Sequence, residues 1–598
     1  MADCPFYSAA EDIADFIYRR GSLRQISGSP ADIPCLDHVN DEFDIIYTPL
    51  DTVTPISLAR YSYYSIPGLF SLLDSSSMEA SGILSAFSAP ALDNQGRGTL
   101  IGIMDTGIDY ANPLFRYSDG STRIAGIWDQ TIEPGFLQDP PSSPGAVPAP
   151  ALSVSSETPP FSYAPIASYG TEFTREQIDQ ALALKDPLSL VPSQDKDGHG
   201  TFLAGIAAGS YLPEQDFTGA APQCELAVVK LKEAKSYLKE FYMIPQSAKA
   251  YQENDIMMGI KYLQAMADRF NRPLVLLIAL GSNLGSHEGS APLSGVIQDA
   301  TRFLGRAAVV AAGNETGLAH HYFGRLPSGK EWEDVELKVG TEESEGGFSA
   351  ELWAPATDVY SVGFVSPSGE IISRIPIIAR NETTIPFLLE STVITVNFQL
   401  IESGAGRQLI FMRFRRPAPG IWKIRVYNSL YFTGDFHMWL PSHGLISEDT
   451  VFLRPSPDTT ITLPGNSSSP ITVAAYDHTN GSIYIHSSRG FTPSGLIKPE
   501  LAAPGVNILG PSVKRPIDSQ IPMTVRSGTS VAAAHVAGAA ANLFSWGIVE
   551  GNQITMSQSA VKAHLIRGAK RNPALRYPNE EWGYGALDLY QAFLSIRE

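Results

Sequence analysis

The chain has 598 residues, 43% of them apolar and 18% charged, which fits a folded protein too long for one compact core, so two to four structural units are expected. Its net charge of −19 lacks the clustered Lys and Arg that a nucleic acid or an anionic membrane requires, so neither is expected as a partner. No apolar run reaches the roughly 18 residues of a spanning helix, and Cys4, Cys35 and Cys224 form no CxxC pair, Cys/His cluster or disulfide framework.

The N-terminus, MADCPFYSAAEDIADF, carries acids where a secretory signal would carry basic residues and then an apolar run. A chain that is intracellular, or released without the ordinary export route, is therefore expected. Residues 1–75 have mixed patterning, with a helix predicted at Ala9–Arg20 and a strand at Phe43–Tyr47. From Gly98 the pattern becomes strand, turn and helix in alternation. LIGIMD is an unbroken apolar strand, and similar ones follow at 226–231, 274–280 and 307–313, with a helix predicted over Asp255–Arg269. Strands apolar on both sides and alternating with helices predict a parallel α/β sheet with helices on both faces.

Two insertions interrupt that pattern. Residues 133–166 are rich in Pro, Ser, Ala and Gly and read as an exposed irregular loop. Within 320–464, VITVNFQL, QLIFMRF and GIWKIRVYN alternate with period two between Pro/Gly turns, predicting an inserted all-β module, a sandwich or jelly roll. The α/β pattern resumes at ITVAAY (471–476). The expected organisation is thus an N-terminal segment 1–75, an α/β domain in two parts (76–319 and 465–598), and the β-module 320–464 between them.

Chemistry concentrates in four short segments. GIMDTGID sets Asp105 at the carboxyl end of a buried strand, the edge where α/β sheets place ligands. DGHGTFLAGIAAG sets His199 before a helix of small residues, and SGTSVAAAHVAGAAA sets Ser530 at the start of another. A serine hydroxyl attacks only when a base takes its proton, and an imidazole is that base when a buried carboxylate fixes its tautomer. In AAGNETG, Asn314 stands just past a buried strand, where a side-chain amide can donate to a developing oxyanion. His320-His321 has no third ligand at metal spacing, and DKDGHG lacks the spacing and terminal Glu of a calcium loop, so neither metal nor cofactor is expected.

In the order Asp…His…Ser, these segments resemble the motifs of subtilisin-like serine peptidases. IALGSN (278–283) is similar to the family's substrate strand, with Ala279 at its usual serine, and YGALDLYQA resembles its closing helix. Ala534 and Val531 replace the usual proline and methionine after the nucleophile, and neither removes a reacting group. A β-module between Asn314 and Ser530 further resembles the Csp germination proteases of clostridial spore formers. The resemblance implies a catalytic triad of Asp105, His199 and Ser530, with Asn314 in the oxyanion hole. It also implies a protein or peptide substrate bound as a strand along Leu280, Gly281 and Gly313, and a cytoplasmic or spore-associated location. The N-terminal segment is expected to be a prodomain that the enzyme cuts from itself and that stays bound, the alternative being an ordinary N-terminal subdomain. The alternative is a catalytically silent Csp-like pseudoprotease acting as receptor or scaffold.

Overall fold

The computed structural model describes residues 10–20, 35–72, 78–133, 169–378, 382–513 and 521–596. The Pro-rich insertion lies outside them except for its first residue. Among the described residues, nine strands form the central sheet, with Leu100–Asp105 near its middle. Glu225–Lys230 flanks that strand on one side, followed by Ile124–Asp129 and Thr171–Thr174. Leu274–Ile278, Arg306–Ala311 and Ile471–Asp477 follow on the other side, and the last of these pairs with both Leu501–Pro504 and Ser482–Ile483. All pairings are parallel except those of Thr171–Thr174 and Ser482–Ile483.

The unbroken apolar strands follow from this layering. Ile101, Ile103, Val228 and Leu277 face the helices His199–Ala208 and Thr529–Phe544. The alternate residues Leu100, Met104, Val229 and Leu276 face Glu253–Arg269 and Pro292–Thr301. Side chains point alternately up and down from a strand, so a sheet covered on both faces leaves no position for a polar residue. Every residue of Thr529–Phe544 is buried. The stretch Thr529–Val549 is long and apolar enough to cross a membrane, yet 89% of its apolar window is enclosed by the fold, so it is a core helix.

Among the described residues, the stretch from His321 to Phe452 forms two antiparallel sheets. One contains Gly347–Pro355 and Arg407–Arg415 at its centre, and the other Val359–Val365, Gly420–Leu430 and Trp332–Val339. Phe348, Leu352 and Met412 of the first sheet pack on Leu337, Val362 and Ile424 of the second, giving a sandwich with its own core. His321 opens the strand His321–Arg325, and the side chains of His320 and His321 are both buried.

The predicted N-terminal helix is instead a strand, Ile13–Arg19, in a three-stranded antiparallel sheet with Phe43–Pro49 and Cys35–His38. Ile13 and Ile17 pack toward Glu253–Arg269, while Ala14 and Phe16 join a separate aromatic cluster with Tyr61 and Phe241. Burial on both faces gives apolar residues at positions that also satisfy helical spacing, which explains the misreading. Asp15, in the middle of this strand, is fully buried and bonded by Lys235 Nζ (2.6 Å), Gln252 Nε2 (2.6 Å) and Asn254 Nδ2 (3.1 Å) of the α/β domain. Although the cysteine pattern predicted no disulfide framework, Cys35 is disulfide-bonded, and Cys224 is a buried free thiol.

The sandwich meets the α/β domain through stacked rings. His287 lies on Trp439 with centroids 4.0 Å apart, and His437 stacks on the same indole while bonding His321 at 3.0 Å. Burial, reinforced by the neighbouring His287 and Arg407, lowers the pKa of His437 to about 3. An unfolded histidine takes up its proton near pH 6.5, whereas this one stays neutral in the fold, so its contribution to stability is lost as pH falls from about 6.5 toward 3. Acidifying from pH 7.5 to 4.5 should therefore lower Tm less in a His437→Phe variant, which keeps the ring, than in the wild type. Equal Tm losses would refute this reading.

Candidate active site

Asp105 is the last residue of its strand and is completely buried. Its Oδ1 accepts from Thr106 N–H (2.7 Å) and Thr106 Oγ1 (3.1 Å), and both of its oxygens lie 2.9 Å from His199 Nδ1. A carboxylate at Nδ1 holds that nitrogen protonated and leaves Nε2 with the lone pair that a general base needs. His199 opens its helix, preceded by Gly198 at φ 88°, a left-handed value that glycine adopts without strain.

Sequence reasoning missed the residue that builds this turn. Asp195 Oδ1 accepts from the N–H groups of Asp197 (3.1 Å) and Gly198 (2.8 Å), while Oδ2 accepts from Thr201 N–H (2.9 Å) and Thr201 Oγ1 (2.7 Å). The carboxylate thus occupies donors that a helix start otherwise leaves unpaired. Its only trace in the sequence was an acid four residues before His199.

Ser530 is the second residue of Thr529–Phe544, a helix that packs beside His199–Ala208. Its hydroxyl is buried without a hydrogen-bond partner among the described residues, so no bond from Ser530 to His199 is formed. Asn314 is tied to the same helix start: its Oδ1 accepts from Thr529 N–H at 3.0 Å, which leaves its NH2 as a donor. Gly313 N–H donates to Thr529 Oγ1 at 3.1 Å, and Gly313 O accepts from Ser488 N–H at 2.8 Å. Both backbone groups of Gly313 are therefore engaged within the fold. Its φ is 105°, and a Cβ there would lie 2.6–2.8 Å from Thr462 and Ser488 side-chain atoms.

Leu280–Gly281 is a short strand whose partner is the chain's own Leu69–Leu72, paired antiparallel as Leu280 with Leu72 and Gly281 with Ser71. On its other side Leu69–Leu72 pairs with Tyr251–Gln252, a second wall that the sequence did not reveal. The N-terminal segment thus lies as the middle strand of three. Glu253 grips its approach: Oε2 accepts from Gly68 N–H (3.2 Å), Oε1 accepts from Leu293 N–H (3.0 Å), and Glu253 N–H donates to Gly68 O (2.9 Å). Burial raises the pKa of this carboxyl to about 7 against those two donors. Among the described residues no group of three or more His, Cys, Asp or Glu is placed to hold a metal.

The chain is similar to the CspB protease of Clostridium perfringens, at 30% identity and a TM-score of 0.72, over 86% of this chain and 96% of that one. A second solved structure, MycP1 with its N-terminal propeptide removed, is 14% identical over 85% of this chain and 95% of that one, with a TM-score of 0.36. No curated protein matches. A sequence model of the subtilase family matches residues 96–373 and 453–585, more than half of the chain. The chain belongs to the subtilase family and is a subtilisin-like serine peptidase of the Csp type, a hydrolase acting on proteins.

Proposed function

We propose that the chain is an endopeptidase in which Ser530 attacks the scissile carbonyl, His199 carries the proton, and Asp105 holds the imidazole. The carbonyl oxygen would turn toward the Asn314 amide and the N-terminus of Thr529–Phe544, and an acyl-enzyme on Ser530 would then be hydrolysed. The observation that carries this reading is the pair of 2.9 Å contacts from His199 Nδ1 to Asp105, on a helix packed beside the one whose second residue is Ser530.

The reading extends to the enzyme's own N-terminus. Leu69–Leu72 lies antiparallel to Leu280–Gly281 as an extended substrate would. On this reading the enzyme cuts itself in the stretch that follows Leu72. The buried Asp15–Lys235 pair and the burial of Ile17 and Phe16 favour retention of the severed segment. Denaturing electrophoresis with intact-mass analysis should give two fragments for wild-type protein, with a new N-terminus within residues 73–80. Native chromatography should keep the fragments together, and Ser530→Ala should remain one chain. An uncut wild-type chain that hydrolyses peptides would overturn self-processing.

A further inference from the structure

Glu315 directly follows Asn314 and is 4% exposed. Its Oε2 accepts from Asn283 Nδ2 and from His320 Nδ1, each at 2.8 Å, and its Oε1 accepts from His443 N–H at 2.9 Å. Its own N–H donates to Ser488 Oγ at 3.0 Å. These partners come from separate parts of the molecule. Asn283 stands two residues beyond Gly281, at the end of the strand that holds the chain's 71–72. His320 precedes the first strand of the sandwich, His321–Arg325, and His443 lies beyond the sandwich strand Asp435–Trp439. Burial alone would raise the pKa of this carboxyl, but the hydrogen bond and charge of His320, with the donors His443 and Asn283, bring it below the ordinary range.

Both carboxylate oxygens are occupied by the protein, so Glu315 has no side left for a substrate. What it fixes is the spacing of the Asn314 loop, the end of the Leu280–Gly281 strand and the inserted module. We infer that Glu315 is a positioning residue through which the docked β-module sets the place of the Asn314 amide. The inference rests on Asn314 being the oxyanion donor proposed above.

A buried carboxylate with three donors holds its loop far more tightly than a backbone turn, and a displacement of about 1 Å at a reacting centre costs on the order of 10²-fold. The experiment is a double-mutant cycle in the full chain, with turnover expressed per Ser530 titrated by a fluorophosphonate and folding followed by near-ultraviolet circular dichroism. Asn314→Ala should lower kcat by about 10²–10³ with KM little changed. Glu315→Ala should lower kcat by about 10–10², and Glu315→Gln, which keeps one acceptor oxygen, by less. In the Asn314→Ala background, Glu315→Ala should cost less than about threefold more, because the two residues act as one unit.

Wild-type kcat for folded Glu315→Ala, or losses that simply multiply in the double variant, would overturn the inference and leave the oxyanion reading standing. Wild-type kcat for Asn314→Ala would overturn the oxyanion reading, and the route through Asn314 with it. If Glu315→Ala does not fold, Asn283→Ala serves instead, since it removes one donor and leaves the carboxylate two. Its kcat should fall at unchanged KM, and a wild-type kcat there would overturn the inference.

Discussion

Ser530→Ala and His199→Ala are each expected to reduce peptide hydrolysis by roughly 10⁶-fold, with no further loss when the two are combined. The nucleophile and its base accomplish one step between them, so removing either removes the step. Asp105→Ala should cost less, on the order of 10⁴, because an unsupported imidazole still accepts a proton part of the time. Each variant should keep the wild-type Tm within a few degrees, since none of the three deletions removes a large apolar side chain. Turnover of a fluorogenic peptide and the circular dichroism spectrum decide the matter together. A folded Ser530→Ala protein retaining more than about a thousandth of wild-type turnover would eliminate the triad.

Gly200→Ala should damage activity almost as clearly without touching a reacting group. A Cβ at Gly200 would sit 2.2 Å from the backbone oxygen of Gly107 and 3.1 Å from Asp105 Cβ. The obstructing oxygen is backbone and cannot rotate aside, so the helix start that carries His199 must withdraw from Asp105. Gly200 N–H would also lose its bond to Thr106 Oγ1, now 3.0 Å. A shift near 1 Å in the His199 ring implies a loss of about 10²-fold or more in kcat/KM. The crowding itself should cost about 1–3 kcal/mol of stability. Measuring kcat/KM beside Tm separates the two effects, and wild-type values for both would contradict the packing described here.

The central strands and the segments bearing Asp105, His199, Asn314 and Ser530 were legible because each is specified locally. A strand covered on both faces announces itself as an apolar run, and the residues proposed to react stand beside glycines and small-residue helices. Ile13–Arg19 failed that test, because two-sided burial in a short strand and one-sided burial in a helix both place apolar residues at Ile13, Phe16 and Ile17. The Tyr251–Gln252 wall is only two residues long, and its partner lies about 180 positions away. Asp195 and Glu315 appear in the sequence as unremarked acids, since the donors of Asp195 converge only when its turn has formed and those of Glu315 come from three separate segments.

The helix Thr529–Phe544 fixes how such a sequence can diverge. A Cβ at Gly538 would stand 2.3 Å from that of Ala220 and 2.9 Å from Ala207 O, so this turn of a fully buried helix tolerates almost no gain in volume. Its run of alanines is thus a record of packing. A descendant that lost its peptidase activity would still have to keep those alanines in order to fold, while Ser530 itself could drift to any small side chain. Within SGTSVAAAHVAG, therefore, the small residues report packing, and only the Ser530 hydroxyl, the proposed nucleophile, would report chemistry.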